Sequence, residues 1–204
     1  MSDVAVAPNK RLPDEVLEAS VVGVGLSPGS LRDQLAPDGT LLVFLRHFGC
    51  IFCRETVGEL RAAVERHERY PEVLFFFQGR AMEGRALLQR DWPEARAIAD
   101  PDMEFYDRFG LKRANLYEAF RPAVFTASVR AMRKGYEGGP RSGDIWRLPG
   151  AFGVIDERLV WTYRARHAAD RPDFDTIPAI FERLRREPDL AAAMDGSVAG
   201  GADA

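Results

Sequence analysis

The feature that most constrains the fold is a strand-length apolar run that passes directly into a helical repeat. Residues 40–47 read Thr-Leu-Leu-Val-Phe-Leu-Arg-His, a pattern typical of a strand that is buried on both faces. After Gly49 the apolar side chains recur every three or four residues, as they do on one face of a helix. These side chains are Cys53, Val57, Leu60 and Val64. The sequence therefore predicts a central strand followed by a helix that begins near Cys50.

Strands and helices continue to alternate after this junction. Short apolar runs predict further strands, and longer stretches with a helical period predict helices. The predicted strands are 73–77, 98–101, 151–155 and 159–163, and the predicted helices are 81–90, 103–109 and 174–186. Residues 115–133 are expected to be partly helical, with a break or restart at Pro122. Strand–helix alternation that ends in a hairpin and a helix is typical of an α/β sandwich.

The length of the chain and the character of its ends indicate one domain with two tails. A chain of 204 residues has room for one sizeable hydrophobic core. Residues 1–12 are expected to form a flexible arm, residues 13–187 the folded domain, and the Ala/Gly-rich residues 188–204 a flexible tail. The chemistry is therefore expected within the central segment.

Charge and hydropathy argue against nucleic-acid and membrane partners. The 28 Lys and Arg residues are spread along the chain and the formal net charge is −3, so no basic patch for phosphate contacts is expected. No apolar run approaches the roughly 18 residues that a membrane span needs, and residues 1–13 lack the apolar core of a secretory signal. We therefore expect a cytoplasmic protein, in a compartment where disulfides are usually transient and catalytic.

The only two cysteines, Cys50 and Cys53, lie three residues apart at the predicted start of the helix. Unpaired backbone N–H groups and the helix dipole stabilise a thiolate there, and the pKa of such a thiol falls from about 8.5 to between roughly 3.5 and 7.5. Cys50, the more accessible thiol, is expected to attack a peroxide or a disulfide, and Cys53 to resolve the product. Arg46 and Arg54 flank the pair and add positive potential, and His47 is a further candidate for tuning Cys50.

Other interpretations of the pair stay open. The two cysteines could be unreactive core thiols, or they could form the switch of a non-catalytic redox sensor or binding module. A structural zinc site needs about four ligands, but the sequence has no second Cys pair, and its histidines, His47, His67 and His167, are scattered. We therefore expect chemistry by the thiols themselves, without a metal or a cofactor.

The segment from Arg46 to Glu55, Arg-His-Phe-Gly-Cys-Ile-Phe-Cys-Arg-Glu, resembles the peroxiredoxin-like proteins of the alkyl hydroperoxide reductase/thiol-specific antioxidant (AhpC/TSA) superfamily. It is most similar to the branch that includes selenoprotein-L-like proteins and prostamide/prostaglandin F synthase. Further segments agree with this resemblance, namely Asp100-Pro101 with the following 105–110, and 149–152 leading into 154–156. The resemblance covers residues 17–186, which is nearly everything except the tails.

This resemblance implies a thioredoxin-like (peroxiredoxin-like) three-layer sandwich with a central mixed sheet and the Cys pair at the start of a central helix. It also implies an antioxidant or thiol-dependent reductase that draws electrons from thioredoxin or a low-molecular-weight thiol. Pro149 would take the place of the cis-proline that lies beside the pair in thioredoxins, although a plain turn proline is the alternative. Peroxiredoxin relatives dimerise in several ways, which leaves a homodimer open.

The sequence departs from typical peroxiredoxins just before the cysteine pair. The peroxiredoxin motif is Pro-x-x-x-Thr-x-x-Cys, and counted from Cys50 the first two positions are Val43 and His47. Counted from Cys53 they are Arg46 and Cys50, so neither register gives the motif. The resemblance therefore leaves the attacking cysteine open, because in the peroxiredoxin register Cys53 attacks the peroxide.

Overall fold

The described part of the chain folds around a six-stranded mixed sheet. The structure is a computed structural model, and it describes residues 10–47, 49–114, 122–139 and 143–187. Its strands are β1 (Gly23–Val24), β2 (Thr40–Phe44), β3 (Glu72–Phe77), β4 (Arg96–Ala99), β5 (Gly150–Ile155) and β6 (Arg158–Arg164). Across the sheet their order is β1-β4-β3-β2-β5-β6. The β2–β3 and β3–β4 pairs are parallel, and the other pairs are antiparallel.

Helices cover both faces of this sheet. They are α1 (Asp14–Leu17), α2 (Ile51–Arg66), α3 (Ala81–Asp91), α4 (Glu104–Arg108), α5 (Pro122–Arg133) and α6 (Ile177–Arg186). Helices α2, α3, α5 and α6 share one hydrophobic core with the sheet, whereas α1 and α4 share the other. This arrangement confirms the predicted three-layer α/β fold with a central mixed sheet.

Strand β2 lies in the middle of the sheet because both of its faces are apolar. Leu41 and Val43 belong to the core beneath α2, whereas Leu42 and Phe44 belong to the opposite core, and all four are buried. Phe44 also stacks on Phe76 of β3, with ring centroids 4.3 Å apart. Burial on both faces removes apolar surface from water along the whole strand, which stabilises this central position.

The other predicted strands and helices are also present, with small shifts at their ends. Pro122 begins α5, where a proline costs little because the first helical N–H groups have no partner within the helix. Residues 115–121, the rest of the stretch predicted to be partly helical, lie outside the described residues. The hairpin between β5 and β6 turns through Asp156 and Glu157, both with positive φ, as a two-residue type I′ turn requires.

The predicted arm and tail fall mostly outside the described residues. The structure does not describe residues 1–9 or 188–204. Leu12 is buried, and the backbone N–H of Leu159 in β6 donates to the carbonyl of Lys10 at 3.0 Å. The chain is therefore already bound to the sheet at residues 10–12, and the exact domain boundaries stay a prediction.

The register of the sheet brings the segment that follows β2 and the segment that precedes β5 to the same end of the sheet. Phe44, the last residue of β2, pairs with Phe76 of the parallel strand β3 and with Gly150, the first residue of β5. The segment that leaves β2 towards Arg46 therefore lies beside the segment that enters β5 from Pro149. Helix α2 begins at this same edge, and the two cysteines are placed here.

Glu55 of α2 is a fully buried carboxylate that contacts three cations. Its oxygens accept hydrogen bonds from Arg130 Nε at 3.2 Å, Lys134 Nζ at 3.2 Å and Arg171 Nη1 at 3.1 Å. Burial acts to raise the pKa of Glu55, but the cations outweigh burial and hold this pKa below its ordinary value. The carboxylate thus joins the first turns of α2 to α5 and to the loop that follows β6.

Replacing Glu55 by Gln is expected to destabilise the fold by about 2 kcal/mol, because three cations lose their shared anion. The loss is limited because two of these cations, Arg130 and Lys134, are partly exposed to water. Urea unfolding at neutral pH measures this loss. The matched control is Glu65→Gln, which removes an exposed α2 carboxylate that pairs with Arg61 at 2.9 Å and is expected to cost less than about 0.5 kcal/mol. Equal losses in the two variants would contradict a structural role for the buried network.

Candidate active site

Cys50 occupies the N-cap position of α2, immediately before the first helical residue. Its backbone is extended, with φ −75° and ψ 117°, and its carbonyl accepts the N–H of Cys53 at 3.1 Å. Gly49 has φ +81°, a left-handed conformation that glycine adopts without a steric penalty, and it turns the chain from the end of β2 into the helix. The helix N-terminus therefore lies directly at the Cys50 thiol, as the sequence predicts.

The two thiols are free, buried and different from each other. Cys50 is 5% exposed and Cys53 is 4% exposed. A hydrogen bond from the Cys53 side chain lowers the pKa of Cys50 well below that of an ordinary thiol, with further help from the Arg46 charge and the Cys53 backbone N–H, although burial opposes this shift. The same hydrogen bond, together with burial, raises the pKa of Cys53. The opposite shifts of the two pKa values favour negative charge on Cys50 and a proton on Cys53.

Arg46 contacts both sulfur atoms through two different groups. Its guanidinium Nη1 lies 3.4 Å from Cys50 Sγ, and its backbone N–H donates to Cys53 Sγ at 3.2 Å. The guanidinium is held in place by the carbonyl oxygens of Ile145 and Arg147, the second at 3.2 Å from Nε. The segment 145–147, just before β5, therefore holds the Arg46 guanidinium in place beside Cys50 Sγ.

The other two predicted supporting side chains lie in different surroundings. His47 is buried, and its charge makes a smaller contribution to the lowered pKa of Cys50. Arg54 instead directs its guanidinium to Asp91 of α3, with two N–O distances of 2.8 Å, and to the carbonyl of Glu137 at 3.2 Å. The expectation that Arg54 adds positive potential at the thiols does not fit this placement, because a buried ion pair neutralises its charge.

Pro149 lies at the predicted junction before β5, and no peptide bond of the described residues is cis, so the Leu148–Pro149 bond is trans. Pro149 and Gly150 line a small cavity of about 30 Å³ that adjoins Cys53 rather than Cys50. Tyr163 is among its other lining residues. A cavity of this size accommodates a molecule of one or two heavy atoms.

Two contacts at the site could not be foreseen from the sequence. The sequence predicts that Arg46 flanks the cysteines and adds positive potential, but it does not predict that the backbone N–H binds one sulfur while the side chain contacts the other. Tyr106 is fully buried, and its hydroxyl donates to the carbonyl of Leu45, the residue next to Arg46. Tyr106 falls within the 105–110 segment noted for its family resemblance, but nothing in that segment indicates proximity to the cysteines.

The described residues contain no group of three or more His, Cys, Asp or Glu side chains placed to hold a metal ion. In the same parts of the chain, no helix combines the length and apolar character that crossing a membrane requires.

The lowered pKa of Cys50 predicts an unusual pH dependence of its alkylation. A thiolate reacts with iodoacetamide and a thiol does not, so the rate should rise with a midpoint well below the ordinary thiol value of about 8.5. Mass spectrometry of peptides from protein that was alkylated at a series of pH values measures this midpoint for each cysteine. Cys53 should stay unmodified through neutral pH, and a midpoint near 8.5 for Cys50 would contradict the assigned proton position.

A model of the family described as "AhpC/TSA antioxidant enzyme" matches residues 59–167, just over half of the chain. The matched segment runs from within α2 to the end of the hairpin region and begins after the Cys pair. No curated protein matches the chain in sequence.

Several solved structures resemble this one at low sequence identity. Peroxiredoxin Q of Xanthomonas campestris has a TM-score of 0.54 and 12% identity, over 91% of this chain and 99% of that chain. A cysteine-to-serine mutant of PrxQ from Xylella fastidiosa has a TM-score of 0.57 and 13% identity, over 92% and 98%. Reduced Prx3 of Vibrio vulnificus, in complex with hydrogen peroxide, has a TM-score of 0.58 and 15% identity, over 86% and 99%. At such identities the likeness shows the fold, which is the thioredoxin fold of peroxiredoxins.

Proposed function

The chain belongs to the AhpC/TSA antioxidant enzyme family, and we propose that it works there as a peroxide or disulfide reductase through the pair Cys50 and Cys53. Membership of this family makes it a thiol-dependent oxidoreductase, with a peroxide as the general class of oxidant and a thiol as the general class of reductant. The roles of the two cysteines are the specific part of the proposal. Cys50 attacks, and Cys53 resolves.

The observation that carries this proposal is the asymmetric environment of the two sulfurs. Cys50 sits at a helix N-terminus, faces the Arg46 guanidinium and accepts a hydrogen bond from Cys53, so negative charge on its sulfur is stabilised. Cys53 lies one turn further along the helix within bridging reach and keeps a proton. This asymmetry supports the assignment of Cys50 as the nucleophile and Cys53 as the resolving thiol.

The reaction with a hydroperoxide proceeds in two steps on these residues. The Cys50 thiolate attacks the terminal peroxide oxygen, the O–O bond breaks, and the departing alkoxide or hydroxide takes a proton from solvent, leaving a sulfenic acid on Cys50. Cys53 then gives up its proton, and its sulfur attacks the Cys50 sulfur and expels hydroxide, which becomes water. The product is a Cys50–Cys53 disulfide, and two reducing equivalents from a thiol donor restore both thiols.

The opposite assignment, with Cys53 as the attacking residue, is the second candidate. It is favoured by the small cavity, which adjoins Cys53 and is of a size to hold hydrogen peroxide. It is opposed by the raised pKa of Cys53, since a protonated thiol is a poor nucleophile. Variants in which a single cysteine is replaced distinguish the two assignments.

Finer predictions from the sequence accompany this proposal. Thioredoxin or a low-molecular-weight thiol is the proposed electron donor, the cytoplasm is the proposed location, and a homodimer is the proposed alternative to a monomer. Membership of the branch that includes selenoprotein-L-like proteins and prostamide/prostaglandin F synthase is likewise a proposal. Pro149, at the edge of the cavity, is proposed as a substrate-lining residue in place of a cis-proline.

The experiment that tests the proposal is thiol alkylation with mass spectrometry on the purified protein. The protein is measured before and after one equivalent of hydrogen peroxide, and again after the addition of reduced thioredoxin. Rapid formation of a Cys50–Cys53 disulfide that thioredoxin reverses is the expected result. Thiols that stay reduced under peroxide and also under a disulfide oxidant would overturn the proposed chemistry.

A further inference from the structure

The hydroxyl of Tyr106 lies deep in the core behind the active site. Tyr106 belongs to α4, on the face of the sheet opposite α2, and it is completely buried. Its hydroxyl donates to the carbonyl oxygen of Leu45 at 2.5 Å and lies 3.0 Å from the carbonyl oxygen of Phe76. Both carbonyls lie at the C-terminal ends of the neighbouring parallel strands β2 and β3. The hydroxyl therefore lies at the end of the sheet where the cysteines are placed.

The Leu45 carbonyl belongs to the same peptide group as the N–H of Arg46. That N–H donates to Cys53 Sγ at 3.2 Å. Because a peptide group is planar and rigid, a bond that fixes its carbonyl also fixes the direction of its N–H. A hydrogen bond to the carbonyl also polarises the group and makes its N–H a better donor. A continuous chain of hydrogen bonds therefore runs from the Tyr106 hydroxyl through one peptide group to the Cys53 sulfur.

The position of Tyr106 is itself fixed from two sides. The buried carboxylate of Asp100 accepts the backbone N–H groups of Glu104, Phe105 and Tyr106 at 3.0, 2.9 and 3.3 Å. The aromatic ring of Tyr106 packs edge-on against Phe44, with centroids 5.0 Å apart. These contacts hold the five-residue helix α4, so the Tyr106 hydroxyl is kept beside the carbonyls of Leu45 and Phe76.

We infer that Tyr106 is a positioning residue for Cys53, whose hydroxyl holds the Leu45–Arg46 peptide with its N–H aimed at the sulfur when that sulfur carries negative charge. The inference deepens the proposed function and rests on it, because it concerns the thiol that resolves. A side chain of α4, on one face of the sheet, would thus position a peptide group that contacts a thiol of α2, on the other face.

Negative charge reaches Cys53 when the disulfide is reduced. The thiolate of a donor attacks Cys50 Sγ, a bond forms between the donor sulfur and Cys50, the Cys50–Cys53 bond breaks, and its electron pair leaves on Cys53. A second donor thiolate then attacks the donor sulfur, releases Cys50 as a thiolate and forms the donor disulfide, while Cys53 takes a proton from solvent. A better stabilised Cys53 thiolate is a better leaving group, so the first of these steps depends on the Arg46 N–H.

The test compares Tyr106→Phe with a matched control, Tyr70→Phe. Tyr70 also donates its hydroxyl to a backbone carbonyl, that of Phe174 at 2.9 Å, beyond the far end of α2. Each oxidised protein is reduced with dithiothreitol under pseudo-first-order conditions. Loss of one hydrogen bond is expected to slow reduction about three- to tenfold in Tyr106→Phe, whereas the control should change less than about twofold.

A second measurement separates positioning from general loosening of the core. In the Cys50→Ser background Cys53 is the only cysteine, and the ¹³C shift of its labelled β-carbon follows its titration without a probe having to enter the core. Adding Tyr106→Phe should raise this pKa, and adding Tyr70→Phe should leave it in place. Unchanged reduction rate and unchanged Cys53 pKa in Tyr106→Phe would overturn the inference.

The Cys50→Ser protein alone provides a test if Tyr106→Phe does not fold. In folded Cys50→Ser protein, the ¹H–¹⁵N chemical shift of the Arg46 amide should change with pH at the same midpoint as the titration of Cys53. An amide shift that stays constant through this titration would overturn the inference. A wild-type protein that forms no Cys50–Cys53 disulfide would instead refute the proposed function, and the amide titration would still decide whether the peptide responds to Cys53.

Discussion

Cys50→Ser is expected to lower turnover with peroxide at least about a thousandfold, because it removes the proposed nucleophile and not merely a group that assists it. Serine is nearly isosteric with cysteine, and the N-cap position of α2 favours a hydroxyl, so the fold should be retained. Steady-state consumption of hydrogen peroxide, coupled to a thiol donor, measures the loss. Urea unfolding of the same variant checks that the loss does not come from instability.

Cys53→Ser is the companion variant, and it should behave differently. The first oxidation of Cys50 requires no second thiol, so one equivalent of peroxide should still convert Cys50 to a sulfenic acid, which dimedone traps and mass spectrometry locates. No intramolecular disulfide can follow. If Cys50→Ser kept the first oxidation and Cys53→Ser lost it, the roles would be reversed, and the cavity beside Cys53 would be the peroxide site.

Arg46→Met should lower the rate of the first oxidation at pH 7 by between about tenfold and a hundredfold. Methionine keeps most of the length of the side chain, but it removes the guanidinium that lies 3.4 Å from Cys50 Sγ. A hydrogen bond to a charged group contributes about 1.5–3 kcal/mol, and without it the pKa of Cys50 should rise. Single-turnover oxidation over a range of pH measures both the plateau rate and the midpoint.

Two other variants separate charge from geometry. Arg46→Lys keeps the charge but loses the planar fork that the carbonyls of Ile145 and Arg147 hold, so it should restore the pH midpoint more fully than the rate. Arg54→Met removes a cation that is equally close in sequence but is paired with Asp91, and it should cost stability while leaving the midpoint unchanged. A midpoint that moved equally in Arg46→Met and Arg54→Met would contradict the assignment of the facing cation.

The sequence by itself predicted the parts of the molecule that local pattern determines. The apolar run at 40–47 and the helical period after Gly49 predicted β2 and α2, because burial on two faces and burial on one helical stripe leave different repeats. These elements place Cys50 at the helix start and Cys53 one turn later, as the spacing predicts. The reactivity of the pair stays a prediction. The resemblance of residues 46–55 then indicated the AhpC/TSA family, which the match to 59–167 supports.

The tertiary structure decided which side chains act on that pair. Parallel pairing of β2 with β3 and antiparallel pairing with β5 bring residues 145–147 to Arg46, and they bring Tyr106 beneath Leu45. Arg46 and Arg54 are equally plausible in the sequence, since each lies within four residues of Cys50. Only the fold directs Arg46 to the sulfurs and Arg54 to Asp91. Hydrogen bonds and ion pairs act over a few ångströms, and such distances between segments remote in sequence are set by strand order and register.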